Sequence, residues 1–142
     1  MIVYWSKMGM KGIPIMGTQE FVSLAPGWNQ VDDAKWGKAR NLVLIQIANE
    51  DIKEEWQDVP YDSVQHRKAV FSIPPEDEKN TGRVIRIPVT IRDIDSRRVP
   101  KIIEKTFNPK TLDYWFEIET REVVRVVLQK QILGVKDGTI KG

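Results

Sequence analysis

Apolar residues near the start of the chain fall into two short runs that predict strands. One run begins at Ile2, and a second covers residues 21–24, where the apolar residues alternate with Ser23 in the pattern of a half-buried strand. A link with glycines at 9, 12 and 17 separates them. The tetrapeptide that begins at Pro26 predicts a turn, because proline presets one dihedral angle and glycine accepts a positive one.

The hydrophobic period then changes to that of a helix. Trp36, Ala39, Val43 and Ile47 recur at helical spacing after Asp32, which can cap the free N–H groups of a first turn. The spacing predicts a helix over 33–49, with a candidate break near residue 41. Alternation of apolar and charged residues over 52–56 predicts a short strand after it.

Residues 57–98 differ in character, since they contain four prolines and two runs of strand-like composition. The first run covers 70–73, and the second covers 84–91, where arginines alternate with isoleucine and valine. A polar stretch over 76–82, which ends in a glycine, lies between them. This layout predicts a long β-hairpin arm that projects towards a neighbouring chain.

The last third of the chain has helical periodicity. Residues 99–107 carry one apolar face, and Asn108-Pro109 supplies a helix cap followed by proline at the first helical position. Leu112 and Trp115 then mark a short helix, and an apolar stripe from residue 123 to residue 132 marks another. Gly134 is the predicted stop of the last helix.

Together these patterns predict an α+β fold in a single domain over 1–142. Within it we expect a β-rich part with one helix over 1–56, the extended arm over 57–98, a helical hairpin region over 99–134 and a tail over 135–142.

Composition narrows the classes of function. The chain has 22 basic and 20 acidic residues, and this near balance disfavours nucleic acid or an anionic membrane as the main partner. It has no cysteine, which removes disulfides, thiolate metal sites and cysteine nucleophiles. Neither a signal peptide nor a membrane-spanning run is evident, so synthesis in a cytoplasm is expected.

Residues suited to catalysis are few and scattered. His66 is the only histidine and lies in a polar stretch, so an ordinary surface role outweighs catalysis. Asp93 and Asp95 form the most metal-like carboxylate pair, but they lack further oxygen ligands, and neighbouring arginines are expected to neutralise them. An unrecognised enzyme would need distant carboxylates such as Asp93 and Glu119 to meet. We therefore expect no catalytic, cofactor or metal site, and no enzyme activity.

Binding residues are easier to nominate. Five tryptophans is a high count; each is more often a core residue, but tryptophan is also enriched at interfaces. Arginines of the arm could contact phosphates, although the mild net charge favours a solvated charged face. The candidate interaction residues are Trp5, Trp28, Phe71, Arg83, Arg86, Arg97 and Arg98.

Two segments carry motifs that go beyond the periodic patterns. The first, residues 24–36, has a proline–glycine–x–asparagine–x–valine step followed by aspartates and Trp36. The second combines Leu112-Asp113-Tyr114-Trp115 with a Glu119-x-Arg121 step and a later Gln131-Ile132 pair. Together the two segments resemble small structural proteins of tailed bacteriophages. They cover roughly 35 residues, and the arm is outside the pattern.

The resemblance implies a non-enzymatic virion component, either a capsid decoration, cement or minor capsid protein or a head–tail connector piece. Its implied partners are the major capsid protein or connector subunits, with copies of itself as a further partner, and no membrane. The competing hypothesis is a small nucleic-acid-binding or regulatory protein that uses the arginines of the arm; it predicts binding that weakens steeply with salt.

Overall fold

A computed structural model describes residues 1–76, 79 and 82–140. The strands are β1 (Ile2–Trp5), β2 (Lys11–Pro14), β3 (Phe21–Leu24), β4 (Gly27–Gln30), β5 (Ile52–Pro60) and β6 (Val84–Pro88). The helices are α1 (Asp33–Ala39), α2 (Leu44–Ala48), α3 (Val64–Lys68), α4 (Val99–Glu104), α5 (Pro109–Ile118) and α6 (Glu122–Lys136), with 3₁₀ turns at Arg40–Leu42 and Ile91–Asp93. The α+β class predicted from the sequence is confirmed.

Four strands form one antiparallel sheet in the order β4-β1-β5-β6, and β2 pairs with β3 in a separate hairpin. Strand β1 lies inside the larger sheet and is covered on both faces. Its alternation places Ile2 in one hydrophobic core and Val3 and Trp5 in another. The sheet therefore separates two cores.

The first core lies between the sheet, the β2–β3 hairpin and α1. Trp36 is fully buried there, and its indole N–H donates to Glu54 Oε2 at 2.7 Å. The guanidinium of Arg40 donates to both oxygens of the same carboxylate. The predicted helix over 33–49 is broken by the 3₁₀ turn at Arg40–Leu42, as expected, and Asp32 caps α1 by accepting from the N–H of Lys35.

The second core lies under α4, α5 and α6, and most residues of their predicted apolar faces are buried in it. Val123, the first residue of the stripe predicted for the last helix, is an exception, because it is 72% exposed. Leu112, Trp115 and Leu128 are fully buried. The indole N–H of Trp115 donates to Gln30 Oε1 at 2.8 Å, which ties α5 to β4. Asn108 caps α5 as predicted. Gly134 is not the stop: α6 continues to Lys136, two residues into the predicted tail.

The turn predicted at Pro26–Asn29 is wrong in extent, because Gly27–Gln30 is strand β4. The chain turns at 25–26, and Gly27 follows with φ of +90°. The amide of the buried Asn29 side chain closes this corner by accepting from the N–H of Ala25 and donating to the carbonyls of Ala25 and Gly27. A short polar side chain therefore replaces the backbone hydrogen bonds that a tight turn would have made.

The arm pairs differently from the prediction. Strand β6 forms its ladder with β5, so the hairpin is β5–β6 and belongs to the main sheet. The predicted strand over 70–73 contributes one bridge, Ile73 to Arg86. In the predicted tip, residues 77, 78, 80 and 81 lie outside the described residues. Among the described residues, no helix has the length and hydropathy needed to cross a membrane.

Candidate interaction surfaces

His66 stabilises the loop that contains α3. Its Nδ1 accepts from the backbone N–H of Asp62 at 2.9 Å, and its Nε2 lies 3.3 Å from the hydroxyl of Ser72. The ring packs on Tyr61 with centroids 5.1 Å apart. Both ring nitrogens are thus used in holding the loop, which is a structural role.

The acidic residues in the described ranges do not form a group of three that could hold a metal ion. Asp93 accepts from the backbone N–H and hydroxyl of Thr90, so it caps the 3₁₀ turn. Asp95 pairs with Arg97 at 3.2 Å, as expected, and this hydrogen bonding lowers the pKa of the Asp95 carboxyl. Arg98, another of the neighbouring arginines expected to neutralise the Asp93 and Asp95 pair, binds Glu55 of β5 instead, so this part of the prediction is wrong.

Glu119 and Arg121 form a charged clamp at the junction of α5 and α6. The carboxylate of Glu119 has no exposed side-chain surface and accepts from the guanidinium and the backbone N–H of Arg121. Arg121 also donates to the carbonyls of Ile91 and Ile94. Burial alone would raise the pKa of Glu119, but the hydrogen bonds and charge of Arg121 outweigh it, and the pKa is lowered.

The nominated aromatic residues lie in three different places. Trp5 is in the first core, where its indole N–H donates to the carbonyl of Gly9 at 3.1 Å. Phe71 is half-buried and meets Trp56 edge to face at 5.6 Å. Trp28 is half-buried on the opposite face of the sheet. Trp28 lines a groove on that face.

The nominated arginines are also divided. Arg86 of β6 lies near two carboxylates, Asp58 and Glu76, each at 3.7 Å. Arg83 is exposed beside β6 and contributes its carbonyl to the N–H of Tyr61. Arg97 and Arg98 line the groove that contains Trp28. The structure therefore brings together three of the seven nominated residues.

We call this surface the basic groove; it has a volume of about 530 Å³ and is lined by Trp28, Glu55, Arg97, Arg98, Lys101, Ile102, Glu104 and Lys105. The Trp28 ring packs against Tyr4 of the neighbouring strand with centroids 5.1 Å apart. Within the described residues neither Lys101 nor Lys105 has an ion-pair partner. In the sequence, Lys101 and Lys105 are four residues apart in a segment of helical periodicity. This spacing is the signal that could have predicted Lys105 on the same surface as Lys101.

A second surface, the hairpin face, lies on the outer side of β2–β3 and consists of Met10, Gly12, Pro14, Met16, Phe21 and Ser23. Its large side chains are strongly exposed, from 62% for Phe21 to 75% for Met16. Phe21 Cδ1 lies 3.9 Å from the place that a Cβ on Gly12 would take, so the ring lies beside that glycine.

The hairpin face was not predicted from the sequence, because the glycines at 9, 12 and 17 suggested a link between strands. The available signal was period-two alternation: Ile13 and Ile15 are buried, whereas Pro14 and Met16 between and beyond them are exposed.

Comparison of the chain with protein-family models, with curated proteins and with solved structures gives no match.

Proposed function

We propose that the chain is a non-enzymatic structural subunit of a tailed-phage virion. In this proposal it binds a neighbouring subunit in the capsid or at the head–tail junction through the hairpin face. The observation that carries the binding step is the exposure of Met10, Met16 and Phe21 on one side of a two-stranded hairpin. Contiguous exposed apolar surface of this kind is typical of protein–protein contacts.

The chemistry of the hairpin face favours an apolar protein surface as its partner. Its members carry no charge, and Ser23 is its one polar side chain. Methionine adapts its shape to a partner at low cost, and a phenylalanine contributes a large rigid contact. Burying the exposed 62% of Phe21 would contribute roughly 1–2 kcal/mol of hydrophobic free energy, before the costs of association.

The virion setting rests on the resemblance of residues 24–36 and 112–132 to phage structural proteins. Several side chains in these segments build the fold: Asn29 closes the corner before β4, and Trp36 and Trp115 fill the two cores. These segments supply the scaffold, and the hairpin face lies outside them. A family that shares a scaffold while varying its contact surface would show this distribution.

The test compares phage particles assembled with the wild-type chain, with Phe21→Ser and with Tyr61→Ser. Tyr61 is an exposed aromatic residue, at 58%, that lies outside the hairpin face. Quantitative mass spectrometry of density-purified particles measures the copies incorporated. We expect Phe21→Ser to lower incorporation and Tyr61→Ser to match the wild type, with both variants folded by circular dichroism. If particles assembled in the presence of the wild-type chain are purified and do not contain it, the virion role is refuted. Full incorporation of Phe21→Ser would refute the role of the hairpin face in binding.

A second candidate function, binding of single-stranded nucleic acid, is favoured by the basic groove. It places Trp28 beside Arg98, Lys101 and Lys105, the combination of stacking surface and cations that such binding uses. Fluorescence titration with an oligothymidylate should then show binding that falls steeply with salt and is lost in the double variant Lys101→Glu, Lys105→Glu. No binding at low salt would remove this candidate.

A further inference from the structure

Helix α6 presents a second apolar stripe on the side that faces away from its own domain. Val124 and Leu128 are buried in the second core, whereas Val123, Val126 and Leu133 are between 58% and 72% exposed. A helix that packs on one side only would carry polar residues at these positions. The exposed stripe therefore has no function in the packing of a single chain.

The stripe has the spacing of a coiled-coil seam. Val123, Val126, Lys130 and Leu133 follow one another at intervals of three, four and three residues, as the a and d positions of a heptad do. The seam runs along most of the 15 residues of α6. A partner helix is thus expected to lie lengthwise along α6.

We propose that the occupant of this stripe is α6 of a second copy of the chain, packed antiparallel about a two-fold axis. In an antiparallel pair each a position faces a d position of the partner helix. Val123 would then face Leu133 of the second copy, and Val126 would face Lys130 of the second copy. Each apolar residue meets either another apolar residue or the aliphatic part of a lysine side chain.

The charges beside the seam fit this arrangement and argue for a copy of the same helix. The flanking positions are Glu122, Gln129 and Lys136, spaced seven residues apart. In the antiparallel register, Glu122 faces Lys136 of the second copy at both ends, and the two Gln129 amides meet at the axis. Within the described residues Glu122 has no ion-pair partner, and Lys136 has a loose, exposed contact with Asp113 at 3.9 Å.

The alternative parallel arrangement is disfavoured by the same residues. It would place Lys130 of one chain opposite Lys130 of the other inside the seam, and it would align the two helix dipoles in parallel. A lysine within a seam commonly fixes register and orientation. The contact is closed by its two-fold symmetry, so association stops at a dimer. The pair is independent of the hairpin face, so the two proposals fail separately.

The first experiment is sedimentation velocity over a concentration series with the wild type, Val126→Glu and the control Val70→Glu. Val70 has similar exposure, 63%, and lies outside α6. We expect a monomer–dimer equilibrium for the wild type and the control, and a monomer for Val126→Glu. A wild-type chain that stays monomeric up to about 1 mM, or equal association of all three proteins, overturns the proposal.

The second experiment tests orientation by reversing charges. Glu122→Lys makes both ends of the antiparallel homodimer lysine against lysine, and Lys136→Glu makes both ends glutamate against glutamate. Each variant alone should associate roughly tenfold more weakly than the wild type. When the two variants are mixed, every end again joins opposite charges, so a heterodimer should form with about wild-type affinity. A mixture that remains monomeric refutes the antiparallel register.

Discussion

The chain contains two arginine–carboxylate pairs of the same spacing in different surroundings. Arg121 pairs with Glu119 in a buried clamp, and Arg97 pairs with Asp95 on the surface. The side chain of Arg121 is 30% exposed, whereas that of Arg97 is 89% exposed. Replacing each arginine by leucine therefore tests how burial changes the contribution of one kind of ion pair.

Arg121→Leu leaves the buried Glu119 carboxylate with backbone donors alone and removes the donors to the carbonyls of Ile91 and Ile94. Breaking a fully buried pair costs about 3–5 kcal/mol, because an uncompensated charge remains. Since Arg121 is partly exposed, water reaches the site and reduces the cost of breaking the pair. We therefore expect a loss of about 2–3 kcal/mol in the free energy of unfolding. Arg97→Leu should cause no measurable change.

Urea unfolding followed by circular dichroism measures both effects. The free energy of unfolding falls linearly with urea concentration, with a slope that depends on the size of the domain. With a typical slope, the urea midpoint of Arg121→Leu should fall by roughly 1 M or more, while that of Arg97→Leu should equal the wild-type midpoint. The slopes should be equal, which shows that the comparison concerns stability alone. Equal midpoints for the two variants would refute the reasoning that burial makes the clamp important.

Two further predictions follow from single sites. The folded-state pKa of Glu119 lies below its ordinary value of 4.5, so its ionised form stabilises the fold. This contribution to stability should be full above pH 4.5 and should decline as the pH falls through the folded-state pKa. Urea midpoints measured across acidic pH should show a weaker decline in Arg121→Leu than in the wild type. Gly27→Ala should lower the melting temperature far more than Gly17→Ala, because both glycines have positive φ but only at Gly27 would a Cβ lie 2.2 Å from the Lys105 carbonyl oxygen; similar shifts would contradict this account.

Local signals predicted α1 and the helices of the last third of the chain well, whereas α3 lies inside the predicted arm and was missed. Asp32 and Asn108 cap helices because their side chains satisfy N–H groups within the next three residues, and such contacts are visible in the sequence. The apolar spacing around Leu112 and Leu128 likewise defines a face without reference to the rest of the chain. These elements were predicted because their determinants are neighbours in sequence.

Strand pairing and surface composition depend on distant residues and were predicted less well. Strand β6 could have paired with either the run at 70–73 or the strand predicted at 52–56, which in the structure extends to Pro60, and no local residue distinguishes the two. Trp5 was nominated for binding although it lies in a core, since burial of a tryptophan depends on what covers its strand. The basic groove also needed the fold, because it joins Trp28 of β4 to α4 residues more than seventy positions later.

The position of β1 between the two cores has a consequence for folding. Ile2 belongs to the same core as Val124 and Leu128, so that core joins residues more than a hundred and twenty positions apart. During synthesis the first strand is made early, but its second covering layer is complete only when α6 has left the ribosome. Contacts of such large sequence separation slow folding, and until they form one face of the sheet remains open to solvent and to other chains.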